Sequence, residues 1–95
     1  MATELTQVPS QNRFLFTRDG VQVGHVDYLM RGNAIHILHT EIDPALRGQG
    51  LGGQLVQSVL EKIRTETDLK VVAICPFTAH WLESHPEYRD LEERN

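Results

Sequence analysis

The stretch Ile42-Asp43-Pro44-Ala45-Leu46-Arg47-Gly48-Gln49-Gly50-Leu51-Gly52-Gly53 decides how this chain is read. Before it, residues 34–42 are rich in β-branched and ring side chains and read as a strand. After it, apolar residues fall at Leu51, Leu55, Val56, Val59, Leu60 and Ile63. That is the spacing of an amphipathic helix with one buried stripe, ending near Thr67. A glycine-rich loop therefore joins a strand to a helix start. Glycines let the backbone approach a ligand with no Cβ in the way. Free N–H groups and the helix dipole favour an anion at that point. The loop is thus a candidate cradle for a phosphate or diphosphate.

Working outward, residues 13–17 form a short apolar run, and Asp19-Gly20 is a hairpin signal. Residues 21–30 continue as a second strand, with Val21, Val23 and His25 expected on one face. Arg31-Gly32-Asn33 turns the chain into the third strand, residues 34–42. Beyond the helix, residues 70–74 are continuous and apolar, so a strand buried on both faces is expected. Cys75-Pro76 stops it, and Pro76 suits the first position of a short helix over residues 76–84. His85-Pro86 ends that helix. Residues 88–95 read as a charged tail with at most one more turn, its Glu92, Glu93 and Arg94 solvated. Residues 1–11 are polar, contain Pro9, and read as a loose lead-in. The expected order is β-β-β-α-β-α. This is an α+β fold with a mixed antiparallel and parallel sheet, its third and fourth strands parallel across a helical crossover.

At 95 residues the chain has room for one domain, residues 1–95. A composition of 40% hydrophobic and 23% charged residues is that of a soluble globular domain. A net charge of −4, with scattered Lys and Arg, argues against nucleic acid as a partner. No apolar run is long enough to cross a membrane, and no secretory signal is read at the N-terminus. Cys75 is the sole cysteine, so no internal disulfide forms. A cytoplasmic protein is the expectation.

Three ligands compete for the glycine loop. Gly48-Gln49-Gly50-Leu51-Gly52-Gly53 matches G-x-G-x-x-G, but a dinucleotide site wants an acidic residue ending the next strand, which here ends at Cys75. A nucleotide loop of the G-x-x-x-x-G-K-[ST] type is excluded because no Lys-Ser or Lys-Thr follows. The third pattern is an apolar residue, four spacers, then [QR]-x-x-G-x-[GA]. Ile42, Arg47, Gly50 and Gly52 satisfy it, and it resembles the coenzyme A pyrophosphate loop of the GNAT superfamily of N-acetyltransferases. The resemblance implies that Ile42, Arg47, Gly48, Gln49, Gly50, Leu51, Gly52 and Gly53 bind coenzyme A. It also implies that the pantetheine arm enters between two splayed strands and pairs with the strand at residues 34–42. A helix entry that needs glycine only for packing remains open.

Together with His39-Thr40-Glu41, Cys75-Pro76-Phe77 and His85-Pro86-Glu87-Tyr88, the loop resembles the small single-domain GNAT-like family over residues 13–91. The resemblance implies acetyl-CoA as cofactor and an amine as acceptor. Two departures from larger members matter. The helices that shape their acceptor site are replaced by Asp19-Gly20, and Trp81-Leu82-Glu83 stands where they often carry a tyrosine acid.

Cys75, at a helix N-terminus, is either a nucleophile that takes the acetyl group or a small buried hydrophobe. His39 and Glu41 alternate onto one face with Ile35 and Ile37, either as general bases or as a polar pair at the wet end of a strand. No metal site is expected, because His36 points to the opposite face from His39. Phe77, Trp81 and Leu82 recur at helical spacing and read as core. His80 is left undecided between site and solvent. An acetyltransferase, a non-catalytic coenzyme A-binding module and a purely structural domain are the competing functions.

Overall fold

The computed structural model describes residues 2–95; Met1, part of the expected lead-in, lies outside the described residues. The chain runs β1 (Thr3–Val8), β2 (Arg13–Arg18), β3 (Val21–Arg31), β4 (Ala34–Ile42), α1 (Leu51–Glu66), β5 (Lys70–Ala73), α2 (Pro76–Glu83) and α3 (Arg89–Glu92). The strands form one sheet in the order β1-β2-β3-β4-β5. β1 to β4 are antiparallel neighbours, and β4 pairs β5 in parallel. The mixed α+β architecture is the expected one, with one more strand.

That strand, β1, corrects the expected loose lead-in. It pairs with β2 over its whole length, from Thr3 opposite Arg18 to Val8 opposite Arg13. Only Leu5 and Val8 are even half-buried, so a polar edge strand leaves almost no hydrophobic signal. The Asp19-Gly20 hairpin forms as expected, with φ of 51° and 82°, the left-handed pair that a tight two-residue hairpin requires.

The core lies between one face of the sheet and the helices. Phe14, Phe16, Val26, Tyr28, Ile35, Ile37 and Val71 meet the α1 stripe, with Leu82 of α2 and Leu91 of α3 closing the cluster. The α1 stripe consists of the six residues read from the sequence, all buried. Full burial of each such side chain is worth about 1.5–3 kcal/mol. That outweighs the roughly 1 kcal/mol that each of Gly52 and Gly53 loses relative to alanine in a helix.

Two bulges change which side chains share a face. Phe16 faces Gly24 but Thr17 faces Gln22, so Val23 is an extra residue. Val23 is buried while Val21 is 64% exposed, which separates the pair expected together. In β4, Tyr28 faces Ile37 but Asp27 faces His39, so Leu38 is the extra residue. Ile35 and Ile37 turn to the core. Beyond the bulge Thr40 and Ile42 take that face, opposite Val26 and Gly24. His39 and Glu41 therefore lie on the other face from Ile35 and Ile37, and on the same face as His36. Both relations reverse the expectation, because a bulge breaks the alternation on which it rested.

Three further corrections concern the C-terminal half. β5 is an edge strand; only Val71 is buried, and Ile74 beyond it is 55% exposed. Phe77 is 47% exposed rather than core, although Leu82 is buried. The tail is not a solvated end. Leu91 is fully buried, and the Arg94 guanidinium donates to the carbonyls of Ile63, Thr67 and Leu69 through Nη1 and of Arg64 through Nη2. It thereby closes the C-terminal end of α1.

Candidate functional site

β4 and β5 run together only from Ala34 opposite Lys70 to Ile37 opposite Ala73. The pairing ends where the N–H groups of Ile74 and Cys75 both donate to the Ile37 carbonyl, at 3.0 and 2.9 Å. β4 continues to Ile42 with no strand partner on that side among the described residues. Its bare edge forms one wall of a cleft of about 430 Å³. The cleft is lined by His39, Thr40, Glu41 and Ile42, then by Leu46, Arg47 and Gly48, then by residues 50–53, with Phe77 across from them.

The loop reaches the cleft through a 3-10 turn, Pro44–Leu46, in which Asp43 Oδ1 accepts from the Ala45 N–H at 3.0 Å. Gly48 and Gly50 follow with φ of 84° and 76°, a conformation that favours glycine. A Cβ at either would meet nothing within 4 Å, so neither glycine is there for packing. Gly52 and Gly53 differ. A Cβ on Gly52 would lie 2.9 Å from Phe77 Cζ, and one on Gly53 would lie 3.3 Å from Trp81 Nε1. Half of the glycine run shapes an open loop, and half lets α2 pack against the start of α1.

Among the described residues, no backbone N–H from residue 48 to residue 53 meets a protein acceptor, and the helix start has no side-chain cap. Orphan donors at a helix N-terminus attract anions. Arg47 lines the cleft beside them. Gln49 turns away, its Oε1 accepting from Arg18 Nη1 at 3.1 Å, which holds a second cation near the loop.

The expected catalytic residues divide. His39 and Glu41 line the cleft and are 57% and 54% exposed, with His39 Nε2 3.8 Å from Glu41 Oε2. Cys75 is buried at 4% exposure and is not among the residues lining the cleft. It is linked to the cleft through Thr40, whose Oγ1 is 3.8 Å from Cys75 Sγ and 3.1 Å from the Oγ1 of buried Thr78. Burial pushes the Cys75 thiol up. The N–H groups of Thr78 and Phe77 and the hydroxyls of Thr40 and Thr78 favour the thiolate more, so the net shift is downward.

Neither tyrosine lines the cleft. Tyr28 is buried, with its hydroxyl accepting from Gln7 at 2.9 Å. Tyr88 packs under Arg64, 4.8 Å from its ring centroid, and burial pushes its phenol up. Trp81 stacks on His85 at 3.6 Å between centroids, and His80 is exposed.

Sequence reading missed Thr40, Leu46, Phe77 and Arg18. It also missed His25, whose Nε2 is 3.5 Å from Glu41 Oε2. A signal for His25 was present: His25-Val26-Asp27 repeats the His-x-acid spacing of His39-Thr40-Glu41.

The architecture is shared with solved acetyltransferases. The ribosomal-protein-S18-alanine N-acetyltransferase of Escherichia coli superposes with a TM-score of 0.63 at 16% identity, over 82% of this chain and 53% of that one. The ribosomal-protein-alanine N-acetyltransferase of Brucella melitensis biovar Abortus 2308 gives 0.56 at 22%, over 85% and 59%. N-acetylglutamate synthase of Neisseria gonorrhoeae, complexed with coenzyme A and N-acetyl-glutamate, gives 0.59 at 15%, over 98% and 27%. The chain thus spans little more than half the length of the first two. No curated protein sequence matches it. The profile of the family described as GCN5-related N-acetyl-transferase matches residues 13–91. With the splayed strands and the uncapped glycine loop, that match places the chain in the GCN5-related N-acetyltransferase family.

Proposed function

We propose that the chain binds acetyl-CoA in this cleft and transfers its acetyl group to an amine. The observation that carries the proposal is the run of unpaired N–H groups over residues 48–53 at the end of a cleft walled by the bare edge of β4. When bound, acetyl-CoA supplies an activated acetyl group as a thioester. The N–H groups of the loop hold the diphosphate, and Arg47 and Arg18 add positive charge beside it. Ile42 and Leu51 give the loop apolar support at its two ends. The edge of β4 beyond Leu38 offers backbone groups to the amides of pantetheine, in the manner of an added strand.

His39 or Glu41 takes the proton from the attacking amine, directly or through water. No helix stands between β2 and β3 to wall the acceptor side, which suits a protein amine or a flexible small one. Cys75 lies behind Thr40 rather than at the cleft wall, and is the candidate acceptor of a thiol route in which its sulfur takes the acetyl group and coenzyme A leaves as the free thiol.

A second reading, a coenzyme A-binding module without turnover, is favoured by one observation: neither tyrosine is at the cleft, so no phenol is placed to reprotonate the departing thiolate.

Incubation with acetyl-CoA, followed by intact mass measurement and assay against an amine panel, tests these readings. Turnover that disappears in His39→Ala or Glu41→Gln supports transfer. An acetyl adduct lost in Cys75→Ala adds the thiol route. Binding with neither adduct nor turnover supports the module, and absence of binding sinks both.

A further inference from the structure

We propose that His25, His39 and Glu41 form a site for a divalent transition metal of the zinc type on the face of the sheet that carries no helix. The three residues come from two neighbouring strands. His39 and Glu41 are two apart on β4 and so project to the same side, and His25 sits directly opposite Glu41 on β3. The β4 bulge at Leu38 is what brings His39 and Glu41 to this face. One donor atom from each residue lies within 4.8 Å of the other two.

The spacings are longer than hydrogen bonds and near those of ligands around one ion. His25 Nε2 is 3.5 Å from Glu41 Oε2 and 3.6 Å from Asp27 Oδ2, and His39 Nε2 is 3.8 Å from Glu41 Oε2. All exceed the roughly 2.7–3.2 Å of an N–H···O hydrogen bond. Tetrahedral coordination with bonds of about 2.0–2.1 Å sets neighbouring ligand atoms about 3.3–3.4 Å apart. The two His–Glu41 contacts need to close by only tenths of an ångström to reach that spacing, and the two imidazole nitrogens, within 4.8 Å of each other, by up to about 1.4 Å.

The electrostatics agree. Glu41 and Asp27 bring two carboxylates to the patch, and Arg13 Nε occupies only Asp27 Oδ1, at 2.7 Å. A divalent cation balances the rest. Two imidazoles and a carboxylate select zinc-type ions over magnesium, which prefers six oxygens. Three protein ligands leave a fourth position for water. The inference does not depend on acetyl transfer, although a bound metal would occupy His39 and Glu41 and withhold them as bases.

Equilibrium dialysis of the full chain against Zn2+, with metal analysis, tests it. Retention of about one zinc per chain and no magnesium is expected for this kind of donor set. His25→Ala and the exposed His39→Ala should each weaken retention by more than the roughly 10–100-fold typical of losing a second-shell partner. His36→Ala and Cys75→Ala should retain zinc, and the Co2+ form should show no thiolate charge-transfer band. Failure to retain zinc overturns the proposal. So does retention that survives both His25→Ala and His39→Ala, or that is lost with Cys75.

Discussion

The two ends of α1 are finished in opposite ways. At the C-terminal end, the Arg94 guanidinium takes up the carbonyls of Arg64, Thr67 and Leu69, and it and the Thr67 hydroxyl also donate to the Ile63 carbonyl, which the Thr67 N–H already pairs. Tyr88 and Leu91 are buried, Tyr88 beneath Arg64 in the last turns of the helix. At the N-terminal end there is no cap, the loop holds Gly48 and Gly50 at positive φ, and the N–H groups face a cleft. Both ends carry orphan backbone groups of equal inherent cost. Among the described residues, a long-range arginine takes up backbone carbonyls at one end, whereas at the other Arg18 meets only the Gln49 side chain and the N–H groups stay unpaired. That contrast supports the proposal that the second end receives a ligand while the first is structural.

The largest effect should come from breaking the sealed end. Leu91→Ala removes a fully buried side chain and should cost about 2–5 kcal/mol, read from denaturant unfolding. Coenzyme A affinity of the molecules that remain folded should not change. Gly50→Asp strikes the bare end instead. Its carboxylate would compete for the helix N–H groups and repel a diphosphate, weakening coenzyme A binding about 100-fold, or ~2.7 kcal/mol. Aspartate is among the few side chains that enter the left-handed conformation, so the melting temperature should fall less than in Leu91→Ala. Calorimetric titration beside a melting curve separates the two effects.

Arg94→Ala is a milder test of the sealed end. Loss of its bonds to the carbonyls of Arg64, Thr67 and Leu69 should cost about 1–2 kcal/mol of stability, again with ligand affinity retained. Equal loss of coenzyme A affinity in Arg94→Ala and Gly50→Asp would erase the distinction between the ends.

The smallest expected effect concerns Cys75. Its thiol is shifted down in the folded state, so its thiolate should appear by ultraviolet absorbance at lower pH than that of free cysteine. A depressed folded value means stability gained above the unfolded titration and lost as pH falls through the folded one. That alkaline gain should be missing in Cys75→Ala.

The same contrast explains what could be read from the sequence. The bare end was legible because its signals are local: glycines within a few residues, a change of period, and no Lys-Ser or Lys-Thr. The α1 stripe was legible for the same reason. Arg94 was not, because its partners lie 25–31 residues away and nothing near it marks a cap. β1 escaped because a polar edge strand buries almost nothing. The Leu38 bulge is set by pairing with β3, so the faces of His36, His39 and Glu41 could not follow from alternation along β4 alone. Phe77 was misplaced because helical spacing cannot tell a core face from a cleft wall.

The proposed role of the uncapped start of α1 is to hold the diphosphate of coenzyme A. Amide chemical-shift mapping of the labelled chain, titrated with coenzyme A and separately with pantetheine, tests it most directly. Coenzyme A should move the amides of residues 48–53 and 39–42 most and leave residues 63–69 at the other end of α1 in place. Pantetheine should reproduce only the shifts on β4. Shifts confined to other surfaces, or a glycine loop that stays unmoved at saturating coenzyme A, would contradict the account.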